Sequence, residues 1–349
     1  MQASLAQNRQ RSSATSYEVQ VGDRMMTQPS VDGVQQIVVE DHVDMVAMAT
    51  IEIGVSEKTP EFNFKIGDTV TVKIGSGADQ IFKGDITALE PRFQVGGTSS
   101  LTLRALDHMH RLGRGRKTRF WEHRRDSDVV QEVGSECGLS VEVDSTMNLA
   151  PYILQRNESN VAFLKRLAAR NNFLLTVEQG ALKFTKPSFM GSAHSIDMGQ
   201  NLRNLKMSFN SVDQVQKVVV RGWDPSKKQE VVGTAELGDI ERIGDGQLGA
   251  ELSACFGESV AYVTDIPVRT QGVANQIAKS ELERIARQFC RGTATVQGDD
   301  TLRAGHMIEF GGLSGGLNGK FYIISTRHMI SEKSGYSTDV RFCSNTMGN

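Results

Sequence analysis

Hydrophobic and polar residues alternate along most of the first hundred residues, as expected for strands with one buried face. Short alternating segments between Tyr17 and Asp107 are separated by residues that favour turns. Strands of this length and spacing predict a small antiparallel barrel or sandwich. We therefore expect a first β-barrel at 17–110, preceded at 1–16 by a polar, flexible N-terminal arm. The predicted strands lie at 17–21, 36–40, 49–53, 69–74, 80–86 and 100–104.

The pattern changes near residue 108, where helical spacing begins to alternate with strands. Residues 111–203 therefore predict an inserted α+β domain. Phe163, Leu164 and Leu167 lie on one face of a predicted helix, so we expect them to form the structural core of this domain. The expected elements are a helix capped by Ser127, a strand at 140–143, a helix at 160–170 capped by Ser159, and a hairpin at 173–185 around Gln179-Gly180.

Period-two alternation returns at residue 204 and continues to the end of the sequence. Residues 204–349 predict a second β-barrel, interrupted at about 224–292 by an inserted loop and helical segment. Apolar residues at helical spacing predict the longest helix at 272–290. The fold class is therefore β-rich α+β, with two similar small antiparallel β-barrels, an inserted α/β middle domain and a long helix before the closing strands. Those strands are expected at 293–296, 307–310, 321–327 and 338–342.

Two β segments, 64–104 and 302–341, follow the same order of features. Each has a turn glycine, a strand, a loop, a glycine at a strand start and a final strand that ends in arginine. These spacings predict an internal structural repeat, although small barrels can share such features by coincidence. The aligned barrel turn glycines are Gly67 with Gly305, and Gly84 with Gly319.

Composition limits the function classes. Lys+Arg 39 against Asp+Glu 41 gives a net charge of −2, so no global charge attracts the chain to nucleic acid or anionic lipid. No apolar stretch approaches about 18 residues, so we expect no membrane span. The N-terminus lacks the apolar segment of a secretory signal. The four cysteines lie far apart without a CxxC motif, which favours reduced thiols.

Sequence motifs give little support for an enzyme. Gly312–Gly316 matches G-x-S-x-G, but a strand follows it instead of the helix that a nucleophile elbow requires, so a hairpin loop is expected. Gly319-Lys320 lacks the rest of a P-loop. No pair of carboxylates lies on a convincing scaffold, which argues against a cell-wall hydrolase. We expect a non-enzymatic protein without a cofactor.

Two clusters of polar residues have competing interpretations. His108, His110 and His123 could together bind zinc, but the surrounding sequence is basic and would repel a cation, so ordinary histidines and no metal are expected. The basic segment 111–125 also contains aromatic residues, which could grip phosphates and stack on bases. A solvated or subunit-contacting loop explains it equally well. Its possible interaction patch consists of Arg114, Arg116, Lys117, Arg119 and Trp121.

Residues 152–168, YILQRNESNVAFLKRLA, resemble the Q-x-N-E-S-D-x-x-F-L-x-R-L-A stretch of the contractile-tail baseplate hub family. This family includes phage late-control D proteins and the hub part of type VI secretion spike proteins. Asn160 stands where the family usually has an acidic residue. The end of the sequence is also similar to the second barrel of the family, at 302–305, 317–324, His328 and 335–338. The resemblance extends over about 17–349.

The resemblance implies a structural baseplate hub of a contractile phage tail or a related injection particle. In this family, homotrimers with two barrels per chain form a pseudo-sixfold ring. The implied partners are the chain itself, a tail tube or tube-initiator protein, a trimeric spike, other baseplate proteins and a tape-measure protein. The sequence ends soon after the second barrel, so a separate spike protein is expected. The implied location is the virion tail baseplate or injection particle, assembled in the bacterial host cytoplasm.

The alternative is an independent nucleic-acid-binding β-barrel protein that uses the basic segment 111–125. Salt-dependent binding of DNA by an isolated monomer would favour this alternative. A salt-resistant trimer would favour the baseplate hub.

Overall fold

The alternating N-terminal segments form strands whose apolar faces share one core. The computed structural model describes residues 16–26, 33–55, 64–75, 80–95, 97 and 99–348. Apart from Ser16, the predicted flexible arm at 1–16 lies outside these residues. We call the strands up to Asp107 the first β half. They are β1 (Tyr17–Val21), β2 (Arg24–Met26), β3 (Val34–His42), β4 (Met48–Val55), β5 (Thr69–Ile74), β6 (Gln80–Arg92) and β7 (Ser99–Asp107).

The first β half is rolled, because side chains from strands at both of its ends are buried together. Val19 on β1 and Ile37 on β3 belong to one core cluster, although β1 and β3 are separated by four strands in the sheet order. Most of the remaining core residues are valine, isoleucine and leucine. The predicted period-two strands of this region are confirmed.

The middle region begins with a 3-10 helix at His108–Gly113 and contains its own core cluster. Most of the basic segment 111–125, considered above as a loop, instead forms a strand. This strand pairs with a second strand at Leu149–Glu158, which was not predicted. The elements are β8 (Lys117–Arg125), α1 (Asp126–Glu136), β9 (Ser140–Val143), β10 (Leu149–Glu158), α2 (Asn160–Asn171), β11 (Leu174–Glu178) and β12 (Ala181–Thr185).

The two helices of this region differ in how they begin. The predicted N-cap Ser159 is confirmed for α2, because its Oγ accepts a hydrogen bond from the backbone N–H of Ala162 at 3.3 Å. The cap predicted at Ser127 is wrong. Helix α1 begins one residue earlier, at Asp126, and Ser127 Oγ accepts from the backbone N–H of Thr146 at 3.3 Å. The Ser127 side chain is therefore buried against the loop that carries Thr146, where its hydroxyl accepts this hydrogen bond instead of capping the helix.

The remaining chain forms a second set of strands and an insertion with its own core cluster. The long helix is confirmed but ends at Ala286, before the predicted residue 290. The elements are β13 (His194–Asp197), β14 (Leu202–Phe209), β15 (Lys217–Asp224), β16 (Gln229–Glu236), α3 (Gly249–Ser253), β17 (Val260–Val263), α4 (Gln271–Ala286), β18 (Cys290–Gln297), β19 (Met307–Gly311), β20 (Gly319–Ser331) and β21 (Gly335–Ser344).

Strands β15, β16 and β17 form a separate three-stranded sheet, against which α4 packs. Residues 204–223 were predicted to begin the second barrel, but β15 belongs to this small sheet instead. The insertion at about 224–292, predicted as a loop and a helical segment, also contains strands β16 and β17. We call β13, β14 and β18 to β21 the second β half.

The two β halves join edge to edge in one curled, mainly antiparallel sheet, which has thirteen strands among the described residues. Strand β3 of the first half pairs with β20 of the second, from Ser325 opposite His42 to Ser331 opposite Gln36. Each half nevertheless has its own core cluster. Within the described ranges, no helix is long and apolar enough to cross a bilayer.

The two β halves repeat the same pairing order, with β3, β4, β7, β6 and β5 corresponding to β14, β18, β21, β20 and β19. The backbone N–H of Gly67 donates to Ile86 O, and that of Gly305 donates to Ile323 O, both at 2.9 Å. A register shift follows both Ile86 and Ile323. We call two residues equivalent when they lie the same number of positions from Ile86 and Ile323, or from Gly67 and Gly305, or when they pair with residues so matched. The outermost pairs differ, because β1 is antiparallel to β5 whereas β13 is parallel to β19.

This register corrects part of the predicted glycine alignment. Gly67 and Gly305 are equivalent and have φ of 96° and 90°, a region that favours glycine. Gly84 and Gly319 are not equivalent, because Gly84 lies opposite Val70 inside β6 whereas Gly319 lies opposite Phe310 at the start of β20. Gly84 is also not a turn residue. A Cβ there would lie 2.1 Å from the carbonyl oxygen of Leu106, so close strand packing requires glycine.

Candidate functional site

The cations of strand β8 are largely engaged by groups of the middle region itself. Arg119 Nη1 lies 2.6 Å from a carboxylate oxygen of Glu136, and its Nε donates to Gln155 Oε1 at 2.9 Å. Lys117 Nζ lies 3.5 Å from Glu136, and Arg116 donates to Asn157 O at 3.3 Å. Burial alone would raise the pKa of Glu136, but Arg119 and Lys117 together lower it. Glu136 is therefore the ionised counterion of Arg119 and Lys117.

Trp121 belongs to the core of the middle region instead of a surface patch. It is 8% exposed, and its ring stacks on Phe163 with centroids 5.3 Å apart and planes 6° apart. Its Nε1–H donates to Glu132 at 2.9 Å, and the Arg119 guanidinium lies 4.8 Å from its ring centroid. A nucleic acid base could not stack on this ring without opening the core.

The three residues predicted as the structural core of this region are fully buried. Phe163, Leu164 and Leu167 each have 0% exposure. They share one apolar cluster with Leu182 and Phe184 of the hairpin formed by β11 and β12. Such buried side chains have no access to a ligand.

The outer face of the β8–β10 pair carries the exposed part of this region. Phe120 and Tyr152 are 58% and 42% exposed, and their rings stack with centroids 5.5 Å apart. Leu149 on β10 is also exposed. Arg114, from the predicted patch, is exposed, and its side chain makes no ion pair within the described residues. We call Phe120, Leu149 and Tyr152 the ribbon surface. Exposed aromatic residues that cluster in this way are typical of protein contacts.

Two of the three candidate metal-binding histidines meet at a carboxylate. His110 Nε2 lies 3.0 Å and His108 Nε2 3.6 Å from oxygens of Asp85. The Arg111 guanidinium binds both oxygens of the same carboxylate, at 2.9 and 3.0 Å. Burial would raise the pKa of Asp85, but hydrogen bonds from His110 and Arg111 lower it. His123 lies in β8 and is exposed. In the described part of the chain, no group of histidine, cysteine and acidic side chains has the arrangement of a metal site.

The G-x-S-x-G match lies in the loop between β19 and β20, which pair as an antiparallel hairpin. Asn318 Oδ1 accepts a hydrogen bond from the backbone N–H of Leu313 at 2.8 Å and closes this loop. The predicted hairpin loop is therefore confirmed. The four cysteines are free thiols, and burial raises the pKa of Cys290 to about 12 and of Cys343 to about 11.

Sequence reasoning missed the counterions of the basic segment and the buried position of Trp121. A partial signal was present, because Arg119 and Trp121 alternate with Thr118 and Phe120, and period-two alternation places the two pairs on opposite faces of a strand. Glu136 and Asp85 gave no such signal, because they meet their partners only through tertiary contacts.

The family model described as "Alg8 N-terminal domain" matches residues 12–332. No curated protein matched this chain.

Several solved structures share the fold over nearly the whole chain. The 43 kDa tail protein of prophage MuSo2 from Shewanella oneidensis has 16% identity and a TM-score of 0.73, with 94% of this chain and 98% of that chain covered. The tail protein from Neisseria meningitidis MC58 has 13% identity and a TM-score of 0.71, with 95% and 97% covered.

A third solved structure comes from a secretion system. The E. coli c3393 protein, described as a component of the type VI secretion system with structural similarity to the T4 bacteriophage tail proteins gp27 and gp5, has 11% identity and a TM-score of 0.64, with 95% of this chain and 78% of that chain covered. At these identities the three likenesses establish that the chain has the fold of these proteins.

Proposed function

We propose that this chain, which belongs to the Alg8 N-terminal domain family, is a non-enzymatic baseplate hub of a contractile phage tail or a related injection particle. The observation that carries the proposal is the repeated β pairing, with matching bonds at Gly67 and Gly305. Three chains with two β halves each would present six similar units. Each half would act as one barrel of a pseudo-sixfold ring, a geometry suited to joining a hexameric tube to a trimeric spike.

The proposed partners are those that the resemblance to baseplate hub proteins implies. One face of the homotrimeric ring would meet a tail tube or tube-initiator protein, and the other would hold a trimeric spike. Other baseplate proteins, and a tape-measure protein, would contact the same ring. The ring would be part of the virion tail baseplate or injection particle and would assemble in the bacterial host cytoplasm.

The middle region would serve as a rigid insertion in this ring. Phe163, Leu164 and Leu167 would hold it together, in keeping with their complete burial. The ribbon surface would contact a neighbouring subunit, because its stacked aromatic pair is large and exposed. We do not propose the nucleic-acid alternative, because Arg119 and Lys117 are paired with Glu136 and Trp121 is buried.

Light scattering of the purified protein tests the trimer. We expect a molar mass three times that of the 38.3 kDa chain and little change in high salt, because ring interfaces of this kind are extensive. Electron micrographs of the same sample should give ring views with approximate sixfold symmetry. A monomer at micromolar concentration would refute the proposal.

A surface variant locates the subunit contact. Phe120→Ser with Tyr152→Ser should shift the trimer toward monomer while the far-ultraviolet circular dichroism stays unchanged. The control replaces two exposed apolar residues outside the ribbon surface, Met190→Ser with Val212→Ser. Equal effects of both double variants would contradict the proposed contact.

A further inference from the structure

A large cleft lies between the outer face of the joined sheet and helices α2 and α4. Its volume is about 1350 Å³, which exceeds the usual 300–1,000 Å³ of small-molecule sites. Lys165 and Ala169 of α2 line one side, Ile277 and Arg284 of α4 line another, and Arg341 lies on the sheet. A cleft of this size has room for a segment of polypeptide.

One row of residues crosses the sheet at this cleft, and all of them except Ser325 line it. Strand register places Lys206 opposite Thr293, Thr293 opposite Arg341, Arg341 opposite Ser325, and Ser325 opposite His42. Directly opposed residues project from the same face of a sheet. Lys206 and Arg341 are two strands apart, and therefore about 10 Å from each other. The sheet thus spaces two cations along the floor of the cleft.

Four cations of the cleft lack a side-chain ion pair or hydrogen bond within the described residues, whereas others nearby are paired. Arg170 is bonded to Asp126, and Arg284 binds Glu281 at 2.6 Å. The unpaired cations therefore leave positive charge available to a ligand. They are Lys165, Lys206, Arg291 and Arg341.

The first β half explains why Arg341 is unpaired. Its equivalent, Arg104, donates from Nε to Glu90 Oε1 at 2.7 Å. The position equivalent to Glu90 is Arg327 in the second half, whose guanidinium lies 3.3 Å from Glu40 and 3.8 Å from Asp339. The first half therefore has a carboxylate at this position where the second half has a cation, and Arg341 lacks the partner that Arg104 has.

The rest of the cleft lining is partly apolar and includes the acidic residues Asp44, Asp265 and Glu281. Phe173, Ile277 and Ile324 contribute apolar surface. Burial lowers the pKa of His42, with Lys165 and Arg341 adding to the decrease and Asp44 opposing it. These charges therefore act on the same part of the cleft.

We infer that this cleft binds an acidic peptide segment of a partner protein, one in which carboxylates alternate with apolar side chains. The carboxylates would pair with Lys206 and Arg341 on the floor, and the apolar side chains would contact Phe173 and Ile277. A nucleic acid fits less well, because the apolar surface of the cleft has no counterpart along a phosphate backbone. The acidic Asp44, Asp265 and Glu281 of the lining also repel a uniformly anionic backbone more than a peptide whose carboxylates are separated by apolar side chains. The inference does not depend on the proposed role in a tail.

Fluorescence anisotropy with the full chain tests this inference. The probe is a labelled peptide of alternating Glu and Leu, compared with the same peptide in which every Glu is Gln. We expect the acidic peptide to bind and the Gln peptide to bind much more weakly. Lys206→Gln with Arg341→Gln should weaken binding of the acidic peptide about tenfold, because two charge-assisted contacts are lost. Lys165→Gln, on the facing helix, should also weaken it.

The matched control is Arg124→Gln with Lys333→Gln, which removes two exposed cations outside the cleft. This control should bind the acidic peptide as the unmodified chain does. Equal loss in both double variants would overturn the inference, because it would reflect net charge alone. A single-stranded oligodeoxynucleotide that binds as tightly as the peptide would overturn it in favour of nucleic acid. Absence of binding by the acidic peptide would also overturn it.

Discussion

Three aromatic rings meet at the centre of the second β half, where the first β half has small or aliphatic side chains. The ring centroids of Phe310, Phe321 and Phe342 lie 5.0 to 5.4 Å apart. All three residues are at most 1% exposed. Their equivalents in the first half are Val72, Gly84 and Ala105, respectively.

The difference shows that the two halves preserve strand pairing but fill the core differently. In the first half, Phe82 precedes Gly84 by two positions, and a Cβ on Gly84 would lie 2.8 Å from the Phe82 ring. In the second half the equivalent positions hold Gly319 and then Phe321. Phenylalanine and glycine have therefore exchanged places on one face of the strand. The backbone repeat depends on hydrogen bonds, so it tolerates this exchange.

The largest change in stability is expected when one ring of the aromatic cluster is removed. Phe342→Ala should lower the free energy of unfolding by about 3–5 kcal/mol, because a buried ring leaves a cavity. The control is Ala105→Gly at the equivalent position, which should cost only about 0.5–1 kcal/mol. Chemical denaturation measures both. Equal losses would mean that the second half does not depend on its aromatic core.

The second test uses pH. Burial lowers the pKa of His328 in the second half from 6.5 to about 3. Its Nε2 donates to Leu302 O at 3.1 Å, and its Nδ1 lies 2.9 Å from the Tyr336 hydroxyl. Between these pKa values the unfolded chain binds a proton that the folded chain does not bind. The contribution of His328 to stability should therefore decrease as pH falls below 6.5, by up to about 1.4 kcal/mol per pH unit.

Urea denaturation at pH 7 and pH 5 isolates this contribution when the unmodified chain is compared with His328→Gln. The comparison is needed because burial raises the pKa of Asp107 to about 7, which acts on stability in the opposite direction. Between the two pH values we expect the unmodified chain to lose about 2 kcal/mol more than His328→Gln. His123→Gln, at an exposed position, is the control and should behave as the unmodified chain does. The position equivalent to His328 in the first half is Pro91, which does not titrate. Hydrogen exchange at pH 5 should accordingly increase first in the second half, and an increase confined to the first half would contradict this assignment.

A third test addresses the close approach of strands. Gly292 is equivalent to Ala49, but a Cβ on Gly292 would lie 2.2 Å from the Phe342 ring and 2.6 Å from Lys206 O. Gly292→Ala should therefore cost about 1–3 kcal/mol through overpacking. Ala49→Gly, the reciprocal change, should cost about 0.5–1 kcal/mol. Thermal melts of both variants compare them, and a stabilising effect of Gly292→Ala would show that this position is not crowded.

The smallest expected effect concerns the two equivalent arginines. Arg104→Gln should slightly lower the melting temperature at low salt, because it breaks the exposed ion pair with Glu90, and salt should reduce the difference. Arg341→Gln should leave the melting temperature unchanged, because Arg341 has no such pair to lose. A clear destabilisation by Arg341→Gln would show that this side chain already has a structural partner.

Local signals in the sequence predicted much of the fold. Helix α2 and the following hairpin were found because the cap at Ser159, the apolar spacing and the turn at Gln179-Gly180 all lie close together in sequence. Gly67 and Gly305 were aligned correctly because positive φ restricts the residue type. Gly84 and Gly319 were misaligned because glycine is present at the two positions for different reasons. A Cβ on Gly84 would collide with the Leu106 carbonyl oxygen, whereas a Cβ on Gly319 would meet only the backbone of Gly348, at 3.5 Å.

The candidate sites could not be predicted from the sequence, because they are formed by contacts between residues far apart in the chain or on different elements. Strand β8 was missed because its charged residues suggested a solvated loop, and their counterion Glu136 lies on the following helix. The cleft was also missed. Lys206 and Arg341 are far apart in sequence, and they approach each other only because β14, β18 and β21 pair in that order.

The pairing of β3 with β20 also constrains the time at which the chain can complete its fold. Strand β3 ends at His42, and its partner begins at Gly319, so nearly the whole chain must leave the ribosome before this junction can form. Until then, the edge of β3 has unpaired backbone groups and can pair with another nascent chain. The other strand pairs within the first half need only earlier residues, whereas helix α2 of the middle region also contacts the later helix α4, where the Ser280 hydroxyl donates to Arg170 O at 2.9 Å. We therefore expect the junction to be a late, slow step of folding, since its contacts have very large sequence separation.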